Sequence, residues 1–341
     1  MVKLLLILAM AAPLGAETGT TAMPFLKMDA GARAAALGGA YTALGDDAGA
    51  VFYNPASAAL VTRKEVMLGH NEWLEGLRNE NAAYVHPVDY AGAAFAGFNA
   101  LFSGSMDKYD EYGAAQGSFS SLEGALTLGY AAPLGGGFYG GAALKSLYQK
   151  ADSYGAMAWA GDAGLLKVAD DWRFGASVSN FGTGMKLGEE SFGLPLTMRA
   201  GAAWDWRGRV SLSADAVKAG ENSPAAAAGA ELHIVSSPGE AFFLRGGYRT
   251  GRTSYAGPGW SAGFGLQNGD IRIDYAFTPY GELGSAHRLN ISLRFGAEKQ
   301  TRRARRSASQ PAKKQPVKEK TGKVQKQQKK TGGENPVYFM W

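Results

Sequence analysis

The chain has 341 residues, enough for one large or two ordinary domains, and its 48 glycines are about twice the usual share. It contains no cysteine, which excludes a disulfide framework and a thiolate metal site; the four histidines, His70, His86, His233 and His287, lack the i, i+4 spacing of a helical zinc site and speak against a metalloenzyme. The net charge of +5 is unevenly spread: from Ala297 onward thirteen Lys or Arg face three Glu, a surplus of ten, so the body before them carries −5.

The first element is the stretch "MVKLLLILAMAAPLGA" (1–16), one lysine, a short apolar run and small residues ending at Ala16. This predicts a secretory signal peptide cleaved before Glu17, because the run falls short of the ~20 apolar residues a spanning helix requires. No later run is long enough either, so membrane residence would have to be achieved without transmembrane helices.

Residues 17–63 follow, with helical composition around "GARAAALGGAYTAL" and the stretch "GDDAGAVFYNPA". The segment is too small and too glycine-rich to stand as a domain. Joined directly to the strands that follow, it is expected to fold into the lumen of a barrel as a plug, with Arg33, Asp46, Asp47, Asn54 and Pro55 as its key residues. Asp46 and Asp47, just past a short helix, can accept hydrogen bonds from backbone or from lumen arginines. Pro55 fixes the onward chain direction and holds Asn54 extended. As neighbours in one loop, the two carboxylates are expected to point apart, which argues against a catalytic pair.

From Lys64 to Gly296 the periodicity is two. In "HRLNISLRF" (287–295) Leu289, Ile291, Leu293 and Phe295 share one face and Arg288, Asn290, Ser292 and Arg294 the other. The same alternation runs through "RVSLSADAV" (209–217), "IRIDYAF" (271–277) and "WRFGASVSN" (172–180). Strands are predicted near 65–72, 78–86, 90–102, 121–132, 137–148, 156–167, 172–180, 197–204, 210–218, 225–235, 242–249, 261–267, 271–278 and 287–295, about fourteen in all. Their connections alternate: tight turns at "PVD" (87–89), "PLGG" (133–136), "VADD" (168–171) and "NGD" (268–270), long loops at 103–120, 181–196 and 250–260. Short turns at one end and long loops at the other describe an all-β transmembrane antiparallel barrel, 64–296, with a small N-terminal helical plug.

Lipid requires closure, since an open sheet edge leaves backbone groups unpaired. Trp73, Tyr90, Phe102, Tyr148, Trp172, Trp204, Trp206, Trp260, Tyr280 and Phe295, near strand ends, suit interfacial girdles. A secreted sandwich would expose more lysines than the polar face bearing Arg173, Arg272, Arg288 and Arg294 suggests. The glycines of "GGGFYGG" (135–141) read as a hairpin turn rather than a nucleotide loop, and "NIS" (290–292) is a sequon inside a spanning strand. No catalytic, metal or cofactor constellation stands out, and the chain is not expected to be an enzyme.

The stretch "FLKMDAGARAAALGGAYTALGDDAGAVFYNPASAAL" (25–60) resembles the N-terminal signature of the PorV/PorQ family of outer-membrane proteins, and "GGAYTALGDDAGAVFYNPA" is similar to the hatch of FadL-type transporters of hydrophobic compounds. "RKEVMLGHNEWLEGLRNENAAYVHP" (63–87), "LRGGYRTG" (244–251) and "IDYAFTPYGELGSAHRLNISLRF" (273–295) also look like PorV. The resemblance covers nearly all of 20–295 and implies a FadL-like barrel of fourteen strands with an N-terminal plug. It implies outer-membrane lipid as surroundings and a role in a type IX secretion-like pathway, binding secreted cargo proteins and other secretion components. The alternative it carries is a FadL-like transporter of hydrophobic small molecules, for which the mainly Ser, Asn, Asp, Arg and Gly inner faces are less suited.

The closing segment 297–341 lacks apolar periodicity and is rich in Lys, Gln and Pro, so it is expected to be a disordered basic tail. An even strand number returns it to the periplasm, and with the N-terminus also expected there, both termini lie on one side. The tail would suit an anionic periplasmic or cell-wall partner, nucleic acid being excluded by compartment, and its tip offers Tyr338, Phe339 and Trp341 as an apolar anchor.

Overall fold

A strand apolar on one face and polar on the other must bury one of them, and in the computed structural model, which describes residues 21–187, 190–237, 239–252 and 257–299, the polar face is the one turned inward. In chain order the strands are β1 (Lys64–Glu72), β2 (Arg78–Val88), β3 (Gly92–Phe102), β4 (Met106–Tyr109), β5 (Ala115–Phe119), β6 (Ser121–Gly135), β7 (Phe138–Ala151), β8 (Tyr154–Ala169) and β9 (Trp172–Gly182). They continue as β10 (Met185–Leu187), β11 (Glu190–Phe192), β12 (Thr197–Trp206), β13 (Val210–Ala219), β14 (Ala225–Ser237), β15 (Glu240–Arg249), β16 (Trp260–Asn268), β17 (Ile271–Pro279) and β18 (Ser285–Phe295).

Among the described residues, all but β4, β5, β10 and β11 form one closed antiparallel barrel of 14 strands, in which β3 pairs with β6 and β9 with β12. Closure is made by β1 against β18, in register from Lys64 opposite Phe295 to Glu72 opposite His287. Along β18, Arg288, Asn290 and Ser292 are buried while Leu289, Ile291 and Leu293 are exposed; along β17, Arg272 and Asp274 are buried and Ile271 and Ile273 exposed. An apolar belt around a barrel without edges is the form a sheet takes in a bilayer.

Four strands were not foreseen. β4 pairs with β5 and β10 with β11, as two-stranded ribbons within the long connections 103–120 and 181–196. The exposed residues of β4 have no buried face, so no alternation marks them in the sequence. The expected girdle needs a correction too. Trp172, Trp206, Trp260 and Phe295 are exposed, but Trp73 and Tyr280 turn to each other at the long-loop end, ring centroids 4.7 Å apart, and line a cavity there.

Residues 22–61 fill the barrel interior, almost all of them buried from Ala30 onward. The helical composition of 31–44 produces only α1 (Ala32–Ala36). Gly38 and Gly39 follow with φ of +67° and +81°, and a Cβ on Gly38 would stand 2.9 Å from the Tyr248 backbone, so the chain breaks out of the helix to lie against the wall. Tight 3-10 turns at Pro24–Lys27, Ala48–Phe52 and Pro55–Leu60 complete the segment.

Its direction is given by its contacts with the wall. Thr21 bridges to Gly193 and Ala22 N donates to Gly193 O, in the long connection 181–196. At the other end Arg63 reaches Asp270 in a short turn, and Lys299 N donates to Thr62 O. The described chain therefore starts at the long-loop end, descends the lumen and enters β1 at the short-turn end, where β18 also finishes. The signal-peptide region 1–16 and the tail beyond Lys299, with Tyr338, Phe339 and Trp341, lie outside the described residues.

Candidate functional site

An irregular segment makes few regular backbone hydrogen bonds, so its buried N–H and C=O groups need partners from elsewhere. Here the inward polar side chains of the wall supply them. Asn290 Oδ1 accepts from Ala32 N at 2.6 Å, Ser261 Oγ accepts from Gly38 N and donates to Ala36 O, both at 3.1 Å, and Ser177 Oγ donates to Tyr53 O at 2.7 Å. Asp215 Oδ2 accepts from Tyr41 N, Thr42 N and Thr42 Oγ1, at 3.0, 2.9 and 2.6 Å. Glu65 Oε1 accepts from Ala48 N at 3.2 Å, its other oxygen taking Arg294 Nε at 2.9 Å.

Apolar packing acts alongside. Leu37, Tyr41, Leu44 and Tyr53 pack with Leu166 and Ala203 of the wall, and Val51, Ala58 and Ala59 with Met67, Val85 and Phe95. Each large side chain so buried contributes roughly 1.5–3 kcal/mol. Wall glycines sit where the segment comes closest: a Cβ on Gly141 would lie 2.5 Å from Ala56 N and from Pro55 C, and one on Gly164 would collide with Asn54.

At the centre is a closed set of ion pairs. Arg33 on α1 grips Glu231 with Nε and Nη2, at 2.9 and 2.7 Å, and its Nη1 reaches Asp46 Oδ1 at 2.8 Å and Asp47 Oδ2 at 3.0 Å. Arg272 donates to Asp47 Oδ2 at 2.7 Å and to Asp274 Oδ2 at 2.8 Å; Arg245 donates to Glu231 Oε2 at 2.6 Å and to Asp274 Oδ1 at 2.7 Å. Arg173 adds a contact to Asp46 at 3.2 Å, and Tyr41 Oη donates to Asp47 at 2.6 Å. Four guanidiniums thus meet four carboxylates, which is how charges are retained away from water.

Burial pushes the Asp47 carboxyl up, but the guanidiniums of Arg33 and Arg272 and the Tyr41 hydroxyl outweigh it and hold it far below the usual carboxylate range. Asp46 is likewise raised by burial and lowered further by Arg33 and Arg173, with a net downward shift. Both stay ionised at neutral pH. The two carboxylates do not point apart as expected: both accept from the same Arg33 nitrogen, because the guanidinium inserts between the loop and the wall.

Of the other residues singled out, Asn54 is extended, accepts from Ala56 N, and donates to Thr42 O and Leu165 O at 3.0 and 3.1 Å, with Pro55 starting the next turn. Sequence reasoning placed Arg272 and Asp274 on a polar face but missed Arg272 as the partner of Asp47 and Asp274 as the partner of Arg272 and Arg245, and it did not single out Glu231 or Arg245. Their signal was a charged residue at an inward position of an otherwise largely apolar strand.

Two cavities flank the segment. One of about 650 Å3 at the short-turn end reaches up to Arg33 and Asp46 and is lined by Arg63, Glu65, Arg272 and Arg294. The other, of about 270 Å3, lies at the long-loop end over Lys27, Met28 and Asp29.

The fold is similar to that of solved barrels. The TodX deltaS2S3 mutant monoaromatic hydrocarbon channel aligns with a TM-score of 0.58 and 13% identity, over 78% of this chain and 99% of that one. The Pseudomonas putida toluene transporter TodX gives 0.55 and 13%, over 77% and 96% of the two chains, and a Pseudomonas aeruginosa FadL homologue 0.53 and 11%, over 78% and 98%. No curated protein matches the sequence. The model of the uncharacterised protein family UPF0164 matches residues 9–188, more than half of the 341, and the chain belongs to that family.

Proposed function

We propose that the protein is a plugged outer-membrane channel of the FadL type, passing small organic compounds when residues 22–61 shift within the barrel. The observation that carries this reading is the arrangement in series: an outer cavity, a segment held by side chains of the wall, and an inner cavity. Barrels with this fold include a monoaromatic hydrocarbon channel and a toluene transporter, which supports a compound of similar size as cargo. The charged inner wall argues that such a compound passes around the plug only after the ion pairs rearrange.

A second reading, a PorV-like barrel that holds secreted proteins in a type IX secretion-like pathway, draws on the β4–β5 ribbon, which exposes Met106, Tyr109 and Tyr112 at the long-loop end. Uptake of labelled toluene into proteoliposomes, combined with crosslinking in intact outer membranes, separates the two. Protein-dependent toluene uptake supports the channel; absent uptake with recovered secreted proteins would replace it by the second reading.

A further inference from the structure

The cavity at the long-loop end is lopsided in charge. Lys27, Arg249 and Arg252 line it, and Asp29 is the one carboxylate among the described residues of its lining. Arg249 Nη1 lies 3.3 Å from Asp29 Oδ1, while Arg252 donates to the Pro279 carbonyl and stacks over Tyr280, 4.3 Å from the ring centroid, acting on Asp29 only at longer range and making no ion pair among the described residues. Two further guanidiniums, Arg199 and Arg288, act on Asp29 from the wall behind. They are 8% and 2% exposed, and Arg199 Nη1 and Arg288 Nε have no hydrogen-bond partner among the described residues. Asp215, already holding Tyr41 and Thr42, is a second carboxylate that feels Arg199. Five cations thus face two carboxylates.

Arginine does not relieve such a surplus by losing its proton, and orphaned guanidinium N–H groups away from water are costly. An anion in the cavity offsets the surplus charge, while the orphaned N–H groups of Arg199 and Arg288 lie behind the lining and are not its direct contacts. The rest of the lining limits which anion: Met28, Val217 and Ala219 form an apolar side, and the volume, about 270 Å3, admits a body of roughly one ring.

We propose that this cavity binds a small organic carboxylate with a compact apolar body, its charge held by Arg249 and Arg252 and its body against Met28, Val217 and Ala219. The inference deepens the channel reading by assigning a charge to the compound met at the outer mouth, yet binding requires no transport. An apolar side beside the cations favours such an acid over inorganic phosphate.

Full-length protein in nanodiscs of zwitterionic lipid, free of lipopolysaccharide, is titrated with benzoate by calorimetry, with benzamide and inorganic phosphate as comparisons. Benzoate is expected to bind, and benzamide and phosphate at least tenfold more weakly. Arg252→Gln, which removes one charge-assisted hydrogen bond, should weaken benzoate binding about tenfold, and Asp29→Asn, which removes the lining carboxylate, should strengthen it. The opposite signs separate a local charge effect from damage to the fold, which heat-modifiable gel mobility checks independently. The proposal is overturned if benzoate fails to bind, if benzamide or phosphate binds as tightly, or if both variants shift affinity the same way. Benzoate binding without any toluene uptake would sink the channel reading and leave this site standing.

Discussion

Arg33 and Glu231 stand 198 residues apart in the chain and meet in a two-bond pair, Nε to Oε2 at 2.9 Å and Nη2 to Oε1 at 2.7 Å, that fastens α1 to the inner face of β14. Glu231 also holds Arg245, so Glu231→Gln leaves two guanidiniums facing a neutral amide. Removing one partner of a buried pair costs about 3–5 kcal/mol. The variant should keep its barrel, with unchanged heat-modifiable mobility, while residues 22–61 become protease-sensitive and single-channel conductance rises. A protected plug and unchanged conductance would show that the pair does not hold it.

Acid should release the same segment. Asp46 and Asp47 titrate lower in the folded protein than when unfolded, so their contribution is present above the unfolded value, about 4, and is lost as pH falls below it toward the depressed folded values. Conductance in planar bilayers is therefore expected to stay flat from about pH 8 to about pH 5 and to climb only in stronger acid. A rise centred near neutral pH would point to some other group.

Close approach gives a third test. Gly141→Ala places a methyl group 2.5 Å from the plug backbone at Pro55 and Ala56, whereas Gly246→Ala meets nothing within 4 Å. Overpacking of this kind costs about 1–3 kcal/mol, so Gly141→Ala should raise leakage and Gly246→Ala should leave it unchanged. Equal behaviour of the two would contradict the observed seat of Pro55.

On β18, Ile291 is 49% exposed and Ser292 3% exposed. Ile291→Arg puts a charge into lipid at a cost of about 2–4 kcal/mol near the midplane. Period-two reasoning alone would make Ser292→Arg the milder change, since it lies on the polar face. Its near-complete burial means that an arginine there has to displace packed neighbours, so both variants should lower the yield of inserted, heat-modifiable barrel. Normal yield for Ser292→Arg would mean the lumen beside β18 has room to spare.

The fourteen barrel strands were legible because each carries its own signal. Arg272 and Asp274 alternate with Ile271 and Ile273 within four residues, and a turn such as "NGD" is local too. The ribbons β4–β5 and β10–β11 were not legible, since β4 has no buried face and β10 and β11, at three residues each, are too short to show an alternation. Composition suggested a helix through 31–44, and wall contact at Gly38 cut it to five residues.

By itself, then, the sequence determined what short-range patterning can encode: the strand count, the inward polar and outward apolar faces, the alternation of turns and loops, and a small-residue segment unable to fold alone. Only the tertiary structure decided which charges meet. Whether Arg33 finds Glu231 or Asp274, and whether the described chain starts at the long-loop or the short-turn end, depends on barrel closure between β1 and β18 and on strand register, which bring together residues from opposite ends of the chain. A pairing across 198 residues has no local periodicity to announce it; it exists only once the wall has closed around the segment it holds.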